Sequence, residues 1–204
     1  MRVHHAREYI AEFGNIELRI FSILRRTACL FLGIWFLNVG FLSSDSLAES
    51  RTEYKVKAAF LYHFVQFAEW PDQAFSQKDT RMHICNYGEN AFEGLLEKTF
   101  DGKSVNTHRF LVHAHVSTAE MRDCHVLFVN RNVDVKHKDV QRLLKQTQAL
   151  LVGETKDFLE YGGMIQFYHV DKKIRFAVNP DALDRNNIHL SSKLLRLAKI
   201  VRSE

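Results

Sequence analysis

Cys85 and Cys124 are the two residues whose type and spacing most directly suggest chemistry. Two thiols about 40 residues apart can join as a disulfide, which the chain-entropy estimate values at roughly 4 kcal/mol, or remain as two buried free thiols. The compartment decides between these, because disulfides persist where the surroundings are oxidising. His113 and His115 form a second candidate. One residue apart on a strand they point to the same side, a spacing that zinc and copper sites use. Nothing in the sequence completes such a site. There is no CxxC, no HExxH and no carboxylate at ligand spacing, so these histidines read as solvated or hydrogen-bonded. Nucleophile-elbow, Walker and dinucleotide-binding patterns are missing too. A pair of convergent carboxylates would leave no motif, and no positive feature supports one. The chain reads as non-enzymatic, with no cofactor and no metal.

The N-terminus bears on the cysteines. Residues 28–42, ACLFLGIWFLNVGFL, are apolar apart from Asn38, and Arg25 and Arg26 precede them. Ser46 and Ala48 are small residues at the −3 and −1 positions of a cut before Glu49. A basic region, a short apolar run and a small-x-small site are the three parts of a secretory signal peptide. A membrane-spanning helix needs about 20 apolar residues, so an uncleaved anchor is the weaker reading. The expectation is a signal peptide over 1–48 and a single domain over 49–204. The 24 residues ahead of the arginines form a long basic region, which a translation start near Ile20 or Leu24 would shorten. Cys29 leaves with the signal, and an even pair remains for an oxidising compartment.

The elements that must position this pair alternate between helix and strand. Segment 53–69 carries Val56, Phe60, Phe64, Phe67 and Ala68 at helical spacing, with Thr52 as a possible N-cap and Pro71 as a stop. Strands are expected at 82–87, 109–113, 126–130 and 149–152, and helices at 91–100 and 135–146, with a weak one at 117–122. Such alternation implies βαβ units. CHVLFV and ALLVG are nearly continuous in apolar residues, as strands covered on both faces are. Segments 164–170 and 173–178 flank Asp171 and Lys172 as a hairpin without the favoured glycine. A last helix is expected over 191–201, with Leu194, Leu195, Leu197, Ala198 and Val201 on its apolar face. The fold class is α/β: one domain, a mostly parallel central sheet flanked by helices, then a β-hairpin and a final helix.

The first helix is apolar around much of its circumference. Two readings stand: core alone, or core plus a dimer or partner surface built from Tyr54, Phe60, Leu61, Phe64 and Phe67. A formal charge of +4 over 204 residues gives no sign of a phosphate-binding face, and no nucleic-acid partner is expected.

EYKVKAAFLYHFVQFAEWP closely resembles the opening of the YfiR family of periplasmic proteins. The resemblance continues through HICNYGENAFEGLLE, CHVLFV, LLVGETKDFLEYGGMIQF and KIRFAVNPDALDRNNIHLSSKLLRLAKIV. It implies that Cys85 and Cys124 are disulfide-bonded. Some members carry a further cysteine pair in the last third, which this chain lacks. The resemblance implies a homodimeric regulator that binds the periplasmic domain of an inner-membrane diguanylate cyclase. Repression of that enzyme would lower cyclic-di-GMP and biofilm formation, and an outer-membrane lipoprotein would relieve it by sequestering the repressor. The alternative is a periplasmic small-molecule sensor feeding a sensor kinase or an outer-membrane receptor, with its ligand in the crevice at the strand ends near Gly88, Asn130 and Gly153.

Overall fold

The computed structural model describes residues 44–75 and 80–202. The chain divides into two compact units, residues 1–49 and 50–204. The expected signal segment falls mostly outside the described residues. No helix among the described residues is long and apolar enough to cross a membrane.

Helix α1 runs over Ser44–Gln66, so Thr52 lies within it rather than at its cap. Phe67 N closes the last turn by donating to His63 O and Phe64 O. The chain then extends into β1, Ala68–Glu69, ahead of Pro71. The buried face of α1 is Tyr54, Lys57, Ala58, Leu61, Phe64 and Val65. These recur at i, i+3, i+4, i+7, i+10 and i+11, the stripe of a helix docked on a sheet. Only Phe64 is shared with the stripe expected from sequence. Val56 and Phe67, placed on that stripe, are each 38% exposed. Two phases of this helix are apolar enough to bury, and the one selected carries a lysine.

The central sheet contains β2 (Met82–Tyr87), β3 (Ser104–Val105), β4 (His108–His113), β5 (Val126–Val129), β6 (Leu150–Gly153), β7 (Ile165–Val170), β8 (Lys173–Val178) and β10 (Lys199–Ile200). Its order is β10-β8-β7-β6-β5-β2-β4-β3. Pairings β2–β4, β2–β5, β5–β6, β6–β7 and β8–β10 are parallel, whereas β3–β4 and β7–β8 are antiparallel. The α/β class with a mostly parallel sheet holds. Every residue of β5 and β6 is buried, as both-face coverage requires. The β7–β8 hairpin forms without glycine: Asp171 and Lys172 both take left-handed backbone, at φ 49° and 60°.

Strand register separates the two faces. Met82 and Ile84 share one with Phe110, Val112 and Val126. On that side Tyr62 of α1 meets Phe110 at 6.2 Å between ring centres, and Phe64 meets Phe167 at 5.7 Å. His83 and Cys85 alternate to the other side.

Several expected helices are shorter. Helix α2 covers only Leu95–Phe100, because Glu93 and Gly94 take positive φ just before it. Helix α3 spans Lys138–Gln146, and the weak pattern at 117–122 becomes a 3-10 turn, Glu120–Asp123. Helix α4, Pro180–Arg185, was not expected; Asn179 caps it by accepting from Ala182 N, and proline opens its first turn. Strand β9, His189–Leu190, pairs antiparallel with β1. The expected final helix is corrected: helix α5 is one turn, Ser192–Leu195. The chain then joins the sheet as β10, with Val201 N donating to Val178 O. Leu197, placed on the apolar helix face, is 71% exposed. Pairing beside β8 satisfies the backbone of the β-branched run Ile200–Val201 better than further helix would.

Candidate functional site

The densest cluster of charged side chains joins α1 to the carboxyl ends of β5 and β6. Glu154 immediately follows β6, and Arg131 lies two residues past β5. The Lys57 and Glu154 side chains are only 1% and 3% exposed. Lys57 Nζ donates to both Glu154 Oε2 and Glu53 Oε1. Glu154 Oε1 accepts from Tyr54 Oη at 2.8 Å and from Arg131 N at 3.1 Å. Arg131 Nη2 reaches Glu154 Oε2 at 3.0 Å and Glu53 Oε1 at 2.7 Å. Lys57 also lies over the Tyr54 ring, 4.5 Å from its centre. His169 Nε2 on β7 is 3.5 Å from Glu53 Oε2.

This arrangement keeps the Glu154 carboxylate ionised. Burial alone pushes its pKa up, but Lys57, Arg131 and Tyr54 outweigh that and hold it below the usual value. Burial and the adjacent carboxylate push the Tyr54 hydroxyl well above its usual pKa. The cluster tethers the buried face of α1 to the ends of β5 and β6. Glu53 and Lys57 were visible in sequence as an i, i+4 pair, but nothing there indicated that a buried acid 97 residues away would complete it.

Arg131 and Glu154 of the cluster directly follow Asn130 and Gly153, two of the strand-end residues of the expected crevice. A Cβ on Gly88 would lie 2.6 Å from Asn132 Oδ1, and one on Gly153 would lie 2.8 Å from the Phe158 ring. Asn132 Oδ1 accepts from Glu89 N at 3.3 Å. Side chains pack closely against both glycines.

On the opposite face, Cys85 of β2 and Cys124, which precedes β5, form a disulfide with S–S 1.97 Å and Cα–Cα 6.0 Å. His83 lies beside it, with its ring centre 5.1 Å from that of His113 and 5.6 Å from that of His125. His125 Nδ1 accepts from His83 N at 3.0 Å. His115 instead sits beside Gly88, with Nδ1 3.0 Å from its carbonyl oxygen. His113 Nε2 is shielded and has no hydrogen-bond partner among the described residues. Burial, and then His83, lower the His113 pKa below its ordinary 6.5.

A pH dependence follows with a definite sign. Below pH 6.5 the unfolded chain takes up the His113 proton before the folded chain does. Stability is therefore complete above that pH and declines as the pH falls toward the lowered folded value. Urea midpoints should fall between pH 7.5 and 5.5, and His113→Gln should flatten that fall. An unchanged slope in the variant would assign the effect elsewhere.

The five residues expected to form a partner surface separate on burial. Tyr54, Leu61 and Phe64 are buried inside the domain and present no surface. Tyr54 is held by Glu154, and Phe64 stacks among the Phe60, Phe167 and Phe176 rings. Phe60 is half-buried, and Phe67 is exposed. Phe60 packs inward on Phe167 and Phe176, with ring centres 5.9 and 5.6 Å away, so the exposed residues of this flank are Val56, His63 and Phe67.

A search of curated proteins finds no match to the chain. The model of the YfiR/HmsC-like family matches residues 54–199, from the aromatic start of α1's buried face to the first residue of β10. The chain belongs to the YfiR/HmsC-like family.

Proposed function

We propose that this protein is a periplasmic repressor that binds the periplasmic domain of an inner-membrane diguanylate cyclase. By doing so it lowers cyclic-di-GMP and restrains biofilm formation. It acts as a homodimer, and an outer-membrane lipoprotein sequesters it when repression is lifted. The carrying observation is the family match over 54–199; the family is periplasmic and regulatory rather than catalytic. Repression requires that the protein bind the inactive cyclase more tightly than the active one, since a ligand shifts an equilibrium only by its differential affinity.

The surface assigned to this contact is the exposed flank of α1 and its end: Val56, His63 and Phe67. The burial of Lys57, Ala58, Leu61, Phe64 and Val65 supports that assignment, because it leaves these residues on the opposite, outward side of the helix. Exposed aromatic anchors are the side chains that most often dominate binding energy.

Deleting the gene should raise cyclic-di-GMP, and the parent gene should restore it. Phe67→Asp should weaken capture of the cyclase domain by roughly ten-fold or more and fail to restore repression, with the melting temperature unchanged. Unaltered cyclic-di-GMP on deletion would count against the cyclase as partner. Full repression by Phe67→Asp would remove α1 as the contact.

A further inference from the structure

Charge is unevenly distributed along residues 49–204. Residues 171–202 hold eight Lys and Arg against three Asp, whereas residues 49–170 hold 15 Lys and Arg against 16 Asp and Glu. The excess is densest at the end. Lys193, Arg196, Lys199 and Arg202 recur every third residue, and no acid lies between Ile188 and Arg202. All four bases are exposed. Arg202 Nη1 reaches Asp181 Oδ1 at 3.1 Å, and no ion pair among the described residues engages the other three.

Two apolar side chains stand among these bases. Leu197 is 71% exposed and Ile200 45%, more than any other large hydrophobic among the described residues. The fold turns them outward. Leu194 is the buried anchor of α5, and Leu195 and Ala198 are half-buried. The turn that follows, closed by Leu197 N donating to Leu194 O, leads straight into β10, the last strand in the order of the sheet. Lys199 lies opposite Ala177 of β8. Arg175, two residues earlier on that strand and also exposed, therefore points to the same face as Lys199.

We infer that this corner of the domain, formed by α5, β10 and the adjoining part of β8, docks on a bilayer surface rich in anionic phospholipid. Head-group phosphates meet the bases, and Leu197 and Ile200 enter the boundary between head groups and acyl chains. The composition favours lipid over an acidic protein. Lysine is depleted in protein interfaces, and leucine is under-represented among the residues that dominate their energy. Basic side chains interleaved with aliphatic ones instead mark segments that lie in a membrane surface. The inference goes beyond the proposed function, since it concerns a different surface from α1 and does not depend on the cyclase.

The test is co-sedimentation of the purified protein, expressed as the full chain, with vesicles of phosphatidylglycerol mixed with phosphatidylcholine, and with vesicles of phosphatidylcholine alone. The parent should pellet with the anionic vesicles, stay in solution with the neutral ones, and be released by high salt, which screens the bases. Arg196→Glu/Lys199→Glu should bind the anionic vesicles roughly ten-fold more weakly or worse. Leu197→Ser should bind them several-fold more weakly, and both variants should keep the parent's melting temperature. The variants share the parent's N-terminus, so a difference in binding reports this corner. A parent that stays in solution with anionic vesicles, or variants that bind as tightly as the parent, overturns the proposal. If the charge variant does not fold, Leu197→Ser decides, because a side chain 71% exposed contributes little to the core. If the parent ignores vesicles but binds the cyclase domain through Arg196 and Lys199, the occupant is an acidic protein and the lipid assignment falls.

Discussion

Cys124→Ser is expected to lower the stability of the domain by about 4 kcal/mol. The bond spans 39 residues, so the reduced chain regains the entropy of a long loop when it unfolds. Its ends tie β2 to the entrance of β5, two adjacent strands at the centre of the sheet. For a domain of this size each kcal/mol moves the melting temperature by about 2–4 °C, so a drop of roughly 8–16 °C should be seen. Cys85→Ala/Cys124→Ala should show the same drop. Non-reducing peptide mapping should recover the Cys85 and Cys124 peptides as one species. Two separate thiol peptides, or a shift under about 3 °C, would mean that the fold does not depend on this bond.

Glu154→Leu is the second large effect. It removes the acceptor of four donors and leaves Lys57, 1% exposed, with Glu53 alone. Breaking a buried ion pair on one side costs about 3–5 kcal/mol, because the remaining charge stays desolvated. Lys57→Met should cost less, since Glu154 keeps Arg131 and Tyr54. The double variant Lys57→Met/Glu154→Leu removes both charges and should be more stable than Glu154→Leu alone. Urea unfolding of the four proteins gives this cycle. A double variant whose loss equals the sum of the single losses would show that the two groups do not interact.

The strands were largely legible in sequence because their covering is continuous: VLFV and LLVG contain nothing that water could keep. The setting of α1 was not legible. Val56, Phe60, Phe64 and Phe67 made an adequate apolar stripe, and hydropathy has no means of preferring a face that contains Lys57. Lys57 can be buried there because Glu154, distant in sequence and placed only by the fold, accepts its hydrogen bond. The last helix failed for a related reason. Residues 191–201 satisfy a helical period, but the free edge of β8 offers hydrogen bonds that local spacing does not reveal. Residues 49–204 contain only Cys85 and Cys124, which left a bond or two free thiols open, and the family resemblance pointed to the bond. Of the residues weighed as a contact surface, three were apolar for the sake of the interior, a distinction that composition cannot draw.

The separation between Lys57 and Glu154 also sets an order of events. The chain is made from its N-terminus at about 5–20 residues per second, so α1 exists before the strand end that anchors it. That imposes a wait until the 97 residues separating them have emerged. During it Leu61, Phe64 and Val65 have no sheet to cover them, and a lysine that ends in the core still faces water. Docking of α1 cannot be complete before Glu154 is in place, which makes it a late step of maturation.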